Sequence, residues 1–147
     1  MTAEFQLVID CADPEPLARF WVAALGYEFE PLPDGYDNWD GYWRDVGVSE
    51  DELGVGLDRI VDPARRGPRI WFQVVPEKKS LKNRLHLDIT VSGGRANPIQ
   101  TRLRLVDAEA RRLAALGATL VRFLCEDGVD HYGVAMRDPE GNEFDIN

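Results

Sequence analysis

A segment near the start of the chain returns in its second half, and this repeat restricts the fold more than any other feature. Gln6-Leu-Val-Ile-Asp-Cys-Ala-Asp13, then an amphipathic stretch and Ala24-Leu25-Gly26-Tyr27-Glu28-Phe29, is echoed by His86-Leu-Asp-Ile-Thr-Val91, a second amphipathic stretch and Leu116-Gly117-Ala118-Thr119-Leu120. Repeats shorter than about 50 residues build solenoids, whereas two copies of roughly 70 residues suit a pair of modules closing one cavity. Agreement between the copies marks folding; polar residues at matched positions mark a site.

Within the first copy, residues 5–11 alternate and are rich in β-formers, which predicts a strand with Phe5, Leu7, Ile9 and Cys11 on one face and Gln6, Val8 and Asp10 on the other. Asp13-Pro14 reads as a helix start, with an N-cap carboxylate and a proline at the first helical position. Leu17, Phe20, Trp21, Ala24 and Leu25 form one helical stripe, and Gly26 supplies the left-handed stop. Further strands are expected at 27–32, near 55–60 and at 69–75.

The second copy follows the same grammar. Leu85, Leu87, Ile89 and Val91 alternate with His86, Asp88 and Thr90, so a polar strand face must meet water or a cavity. Asp107 caps the expected helix 107–116, whose stripe includes Val106, Ala110, Leu113 and Ala114, and Gly117 ends it. Strands at 119–125, 132–137 and 143–146 complete a β-α-β-β-β order. Two stretches break the pattern: 33–52 reads as an irregular strand or a loop over the cavity, and 92–105 as an inserted surface loop. Modules spanning about 4–77 and 84–147, joined by a linker at 78–83, make one domain over 1–147.

Charge narrows the partners. With 26 acidic against 17 basic residues the net charge is -9, which disfavours nucleic acid and anionic membrane surfaces. No apolar run reaches the roughly 20 residues of a transmembrane helix, and the first residues lack the pattern of a secretion signal, so a cytoplasmic protein is expected. Cys11 and Cys125 lie at no metal-ligand spacing and are expected to be small buried hydrophobes.

On this order of elements the chain resembles the vicinal oxygen chelate superfamily, and within it the small bacterial glyoxalase-like proteins. The resemblance is carried by Asp10-Cys-Ala-Asp-Pro14, Phe20-Trp21 and Leu25-Gly26-Tyr27 in the first copy, then by Trp71-Phe-Gln-Val-Val-Pro-Glu77. Lys82-Asn-Arg-Leu-His-Leu-Asp88, Leu116-Gly-Ala118 and Asp138-Pro-Glu-Gly-Asn-Glu-Phe144 extend it to nearly the whole chain. It implies an α+β fold of two tandem βαβββ modules forming a curved mixed β-sheet cleft. Each helix then covers the convex side of its sheet.

The resemblance also implies a site. Enzymes of the superfamily hold one divalent metal (zinc, iron, nickel, manganese or cobalt) through four inward residues on the first and last strands of the modules. Matching by position gives Gln6 and His86 on the first strands, and Asp145 on the last strand where Glu is usual. The fourth is Gln73, or Phe72 if the match slips by one residue. In the family reaction a ligand carboxylate often doubles as general base, and Asp145 is the one carboxylate of this set. One imidazole, one carboxylate and two neutral carboxamides are a weak donor set. Trp39, Trp43, Trp71, Asp88 and Tyr132 are candidate ligand-binding residues, the tryptophans as an aromatic wall. Two readings stay open: a metal-dependent lyase, isomerase or dioxygenase acting on a small molecule, and a metal-free small-molecule binding protein of the bleomycin-resistance type. Small members of the superfamily commonly pair, so a homodimer is expected.

Overall fold

Strand β1 (Gln6–Cys11) alternates as its sequence demands, with Leu7, Ile9 and Cys11 more deeply covered than Gln6, Val8 and Asp10. In the computed structural model, which describes residues 2–147, it opens a first unit that ends at Pro76; a second begins at Glu77. Helix α1 (Pro14–Leu25) has proline in its first turn and buries Leu17, Ala18, Phe20, Trp21 and Ala24. Asp13 holds the N-cap position in extended backbone, although its carboxylate makes no capping bond. Gly26 ends the helix at φ 70°, a conformation any side chain would strain.

Strands β2 (Glu28–Phe29), β3 (Arg59–Val61) and β4 (Arg69–Val74) complete the module, with helix α2 (Trp39–Asp45) between β2 and β3. The sheet order is β1-β4-β3-β2, with β1 parallel to β4 and the other pairs antiparallel. Ile60, Ile70 and Phe72 are buried on the helix side, and each contributes about 2–3 kcal/mol through removal from water.

The second module repeats this plan with β5 (Asp88–Ile89), α3 (Ile99–Ala115), β6 (Thr119–Leu124), β7 (Gly133–Arg137) and β8 (Glu143–Ile146). Its order is β5-β8-β7-β6, again with the first strand parallel to the last. Its apolar core includes Val106, Ala110 and Leu113 of α3 and Val134, Met136, Phe144 and Ile146 of the sheet. The fold is therefore α+β, two tandem βαβββ modules.

A repeated turn strengthens the correspondence. Before β8, Asp138 Oδ1 accepts the N–H groups of Glu140 and Asn142, both at 2.9 Å. Before β4, Asp62 accepts those of Ala64, Arg66 and Gly67 at 2.8–2.9 Å. Each Asp is followed by proline, and each lets the last two strands pair as a hairpin.

Several elements depart from expectation. Phe5 lies outside β1 and is 73% exposed. The stretch expected to form a strand at 85–91 is regular only at Asp88–Ile89, and Leu85 is 84% exposed. Residues 33–52 contain a helix rather than a strand, with Asn38 capping α2 by accepting the Gly41 N–H at 2.8 Å. Helix α3 begins at Ile99, eight residues before Asp107, so much of the expected surface loop is helical and Asp107 is mid-helix. Buried Arg102 satisfies its guanidinium on the Asn97 carbonyl at 3.0 Å and on the Asp130 carboxylate. Cys11 is buried as expected, whereas Cys125 is exposed.

Candidate functional site

Parity assigns the side chains of each sheet to a helix-covered face and an opposite, open face. In module one Phe72 is fully buried, so the next residue, Gln73, belongs to the open face beside Asp10. Gln6 is there too, but its Oε1 accepts a 2.7 Å bond from Arg69 Nη1. Arg69 also grips Glu30 through two bonds of 2.8 and 2.6 Å. Gln6 is in register with Arg69, four residues along β4 from Gln73. The two carboxamides are therefore about 13 Å apart along the strands.

Strand register then decides which positions of the two modules correspond. If Gln6 matches His86, Val8 matches Asp88; Val8 pairs with Trp71, as Asp88 pairs with Asp145. The hairpins agree, because Arg59 faces Trp71 as Ala135 faces Asp145. The counterpart of Asp145 is thus Trp71, two residues from Gln73. An indole stands where the first copy would need its second metal donor.

Trp71 belongs to a stack. The Arg59 guanidinium lies 4.5 Å from the Trp43 ring centroid and 5.1 Å from that of Trp71, and Trp39 stacks on Trp43 at 5.4 Å. Asp58 locks this arrangement, its Oδ1 2.5 Å from Arg59 Nη1 and its Oδ2 accepting the Trp71 indole N–H at 3.1 Å. Burial pushes the Asp58 carboxyl above its ordinary value, outweighing Arg59 and Trp71. The structure thus brings the three candidate tryptophans together around an arginine that the sequence did not single out.

In module two, His86 Nε2 lies 3.4 Å from Asp145 Oδ2, with the side chains 40% and 27% exposed. Both line an open cavity of about 680 Å³, together with Lys79, Lys82, Arg122, Ala135, Arg137 and Glu143. Asp88 is on the same face, where its carboxylate accepts from the Asn147 carboxamide. Glu143 accepts the Asn83 N–H at 2.9 Å and is 3.1 Å from Lys79 Nζ. Burial pushes its carboxyl up, yet these two partners hold it down at about 2. Tyr132 stands apart from the cavity. Its hydroxyl donates to Asp107 of α3 at 2.6 Å, and burial with this bond raises its pKa well above the usual phenol value.

A separation of 3.4 Å suits two donors each about 2.1 Å from one ion. Among the described residues, however, no three His, Cys, Asp or Glu side chains cluster around a common point. Gln6 shares its oxygen with a guanidinium, and Trp71 replaces a carboxylate. The chain's donors therefore do not fit the four-residue centre expected from the resemblance.

The sequence profile of the glyoxalase-like domain family matches residues 6–147. Among solved structures, a glyoxalase/bleomycin resistance protein/dioxygenase family enzyme from Burkholderia phytofirmans aligns with a TM-score of 0.60 at 18% identity, covering 99% of this chain and 98% of that one. A mutant of the fosfomycin resistance protein FosX from Listeria monocytogenes, complexed with Mn(II) and 1S,2S-dihydroxypropylphosphonic acid, aligns with a TM-score of 0.61 at 11% identity over 100% and 92% of the two chains. FosX from Mesorhizobium loti gives 0.56 at 10% identity, over 99% and 91%. At these identities the likeness to the solved structures is one of fold. Comparison with proteins of curated function returns no match.

Proposed function

Because the chain belongs to the glyoxalase-like domain family of the vicinal oxygen chelate superfamily, we propose that it binds a small molecule in the module-two cavity, against His86 and Asp145, without a complete four-residue metal centre. The observation that carries this reading is the asymmetry of the copies. Module two pairs an imidazole with a carboxylate in an open cavity, while the matched positions of module one hold an arginine-bound carboxamide and an indole.

In this role His86 and Asp145 provide one polar corner. His86 offers a donor or an acceptor according to its tautomer, and Asp145 accepts. A ligand hydroxyl fits both. Metal content after purification without an immobilised-metal column tests the proposal. We expect far less than one divalent ion per chain, and zinc or manganese titrations in which His86→Ala changes little. A stoichiometric ion that His86→Ala removes would sink it.

The 3.4 Å spacing of His86 and Asp145 favours a second reading, in which they hold a divalent ion and the protein is a metal-dependent lyase, isomerase or dioxygenase. There the ion would supply Lewis-acid chemistry, and substrate or water would complete its shell. The same measurement separates the two readings.

A further inference from the structure

We infer that the ligand of the module-two cavity is a small anion, its charge held by Arg122 and a hydroxyl held by His86 and Asp145 across a slot over Ala135. This rests on the cavity being the binding site, and it adds the chemical class of the ligand.

One cross-strand row carries the inference. Asp88 pairs with Asp145, Asp145 with Ala135, and Ala135 with Arg122, so four consecutive positions cross the open face of one sheet. Arg122 reaches that row through a bulge. Leu120 faces Met136, but Arg122, not Val121, faces Ala135, because the register shifts between Leu120 and Arg122. In a regular strand the side chain beside Ala135 would be that of Val121, and Arg122 would turn to the helix side. The irregularity brings a guanidinium beside the smallest side chain of the row, while Val121 also keeps a place on the cavity wall. His86, Asp145, Ala135 and Arg122 all line the cavity.

Two of the other cations of this wall are already paired with a carboxylate, and Lys82, at the segment that joins the copies, is not paired with one among the described residues. Lys79 lies 3.1 Å and Arg137 3.7 Å from Glu143. Among the described residues Arg122 has no carboxylate within ion-pair distance, in a chain of net charge -9. Module one supplies the contrast. Its counterpart of Ala135 is Arg59, whose own side chain fills the equivalent space between Trp43 and Trp71. The same position is plugged in one copy and open in the other.

Geometry also bounds the ligand. Arg122 and Asp145 flank Ala135 on neighbouring strands, so their backbones are two strand spacings apart, about 10 Å. Allowing one hydrogen bond at each end leaves roughly 4 Å between the anionic group and the hydroxyl. A carboxylate with a hydroxyl a few carbons away has this span, and Arg grips a carboxylate through two parallel bonds.

The test uses 4-hydroxybutanoate and its neutral amide, 4-hydroxybutanamide, titrated to about 10 mM into the full chain while backbone amide resonances are followed. We expect 4-hydroxybutanoate to shift Ala135, Arg122 and His86, and the amide to bind at least tenfold more weakly. Arg122→Gln should bring the anion down to the level of the amide, and Ala135→Leu should abolish binding of both. Equal binding of the two compounds, or a preference for the anion that survives Arg122→Gln, overturns the assignment of charge. If binding is nonetheless lost in Ala135→Leu, the cavity reading stands without it. Binding that persists in Ala135→Leu lies elsewhere and overturns both. Absence of binding by either compound overturns the anion inference, and the cavity reading then rests on its metal and His86→Ala measurements.

Discussion

Replacing Glu143 by Gln keeps the shape of a side chain that lines the cavity and removes its charge. The carboxylate is 3.1 Å from Lys79 Nζ and 3.7 Å from Arg137 Nε, and it accepts the Asn83 N–H at 2.9 Å. Its folded pKa of about 2 lies below the free value of 4.5. A depressed carboxyl stabilises the fold fully above its unfolded pKa and loses that contribution as pH falls through the folded one. The whole shift is equivalent to about 3 kcal/mol at neutral pH; discounted for solvent screening, about 1–2 kcal/mol remains. With a urea m-value of about 1–3 kcal/mol/M, Glu143→Gln should lower the unfolding midpoint by roughly 1 M at pH 7. The gap between wild type and variant should hold from pH 7 to about 5 and close as pH approaches 2. A gap that stays constant down to pH 2, or no gap at pH 7, would refute the linkage of this carboxylate to the Lys79–Asn83 segment.

Two further substitutions probe the helix-covered faces. Tyr132→Phe deletes the 2.6 Å bond to Asp107 and should cost about 1–2 kcal/mol in urea unfolding, while in the wild type one tyrosine should resist ionisation well above pH 10 by ultraviolet titration; a neutral variant would mean that the bond contributes nothing. Phe72→Ala empties a fully buried position between β4 and α1 and should cost about 3–5 kcal/mol, read as a fall in Tm; a loss under 1 kcal/mol would show that module one repacks freely there.

Where side-chain period alone determines structure, the sequence was a sufficient guide. Alternation located β1 and β8, and Gly26 closed α1 where the stripe ended. The start of α3 was hidden because Arg102 and Arg104 interrupt the apolar period. Arg102 is nevertheless buried, since Asp130 and the Asn97 carbonyl satisfy it, a partnership between distant residues that no local window contains. Helix α2 is short, aromatic and carries Gly41, so neither period nor propensity announces it. For the site, parity placed His86 and Asp145 on one face, and they meet. Pairing register was out of reach, and register is what matches Trp71 rather than Gln73 to Asp145. Arg59 and Arg122 were missed for the same reason, one being defined by its stack and the other by a bulge.

The parallel pairing of first and last strands has a temporal consequence. Gln6 is bonded to a residue 63 positions later, so β1 waits through the synthesis of α1, β2, α2 and β3 before its neighbour β4 exists. Closing a loop of that length is only modestly dearer than closing a short one, but it comes late. Until then the nascent module is a helix and a hairpin with one strand adrift, its apolar face uncovered. Mutations in β4 therefore strike twice, at the stability of the finished sheet and at the interval during which β1 remains open to other chains.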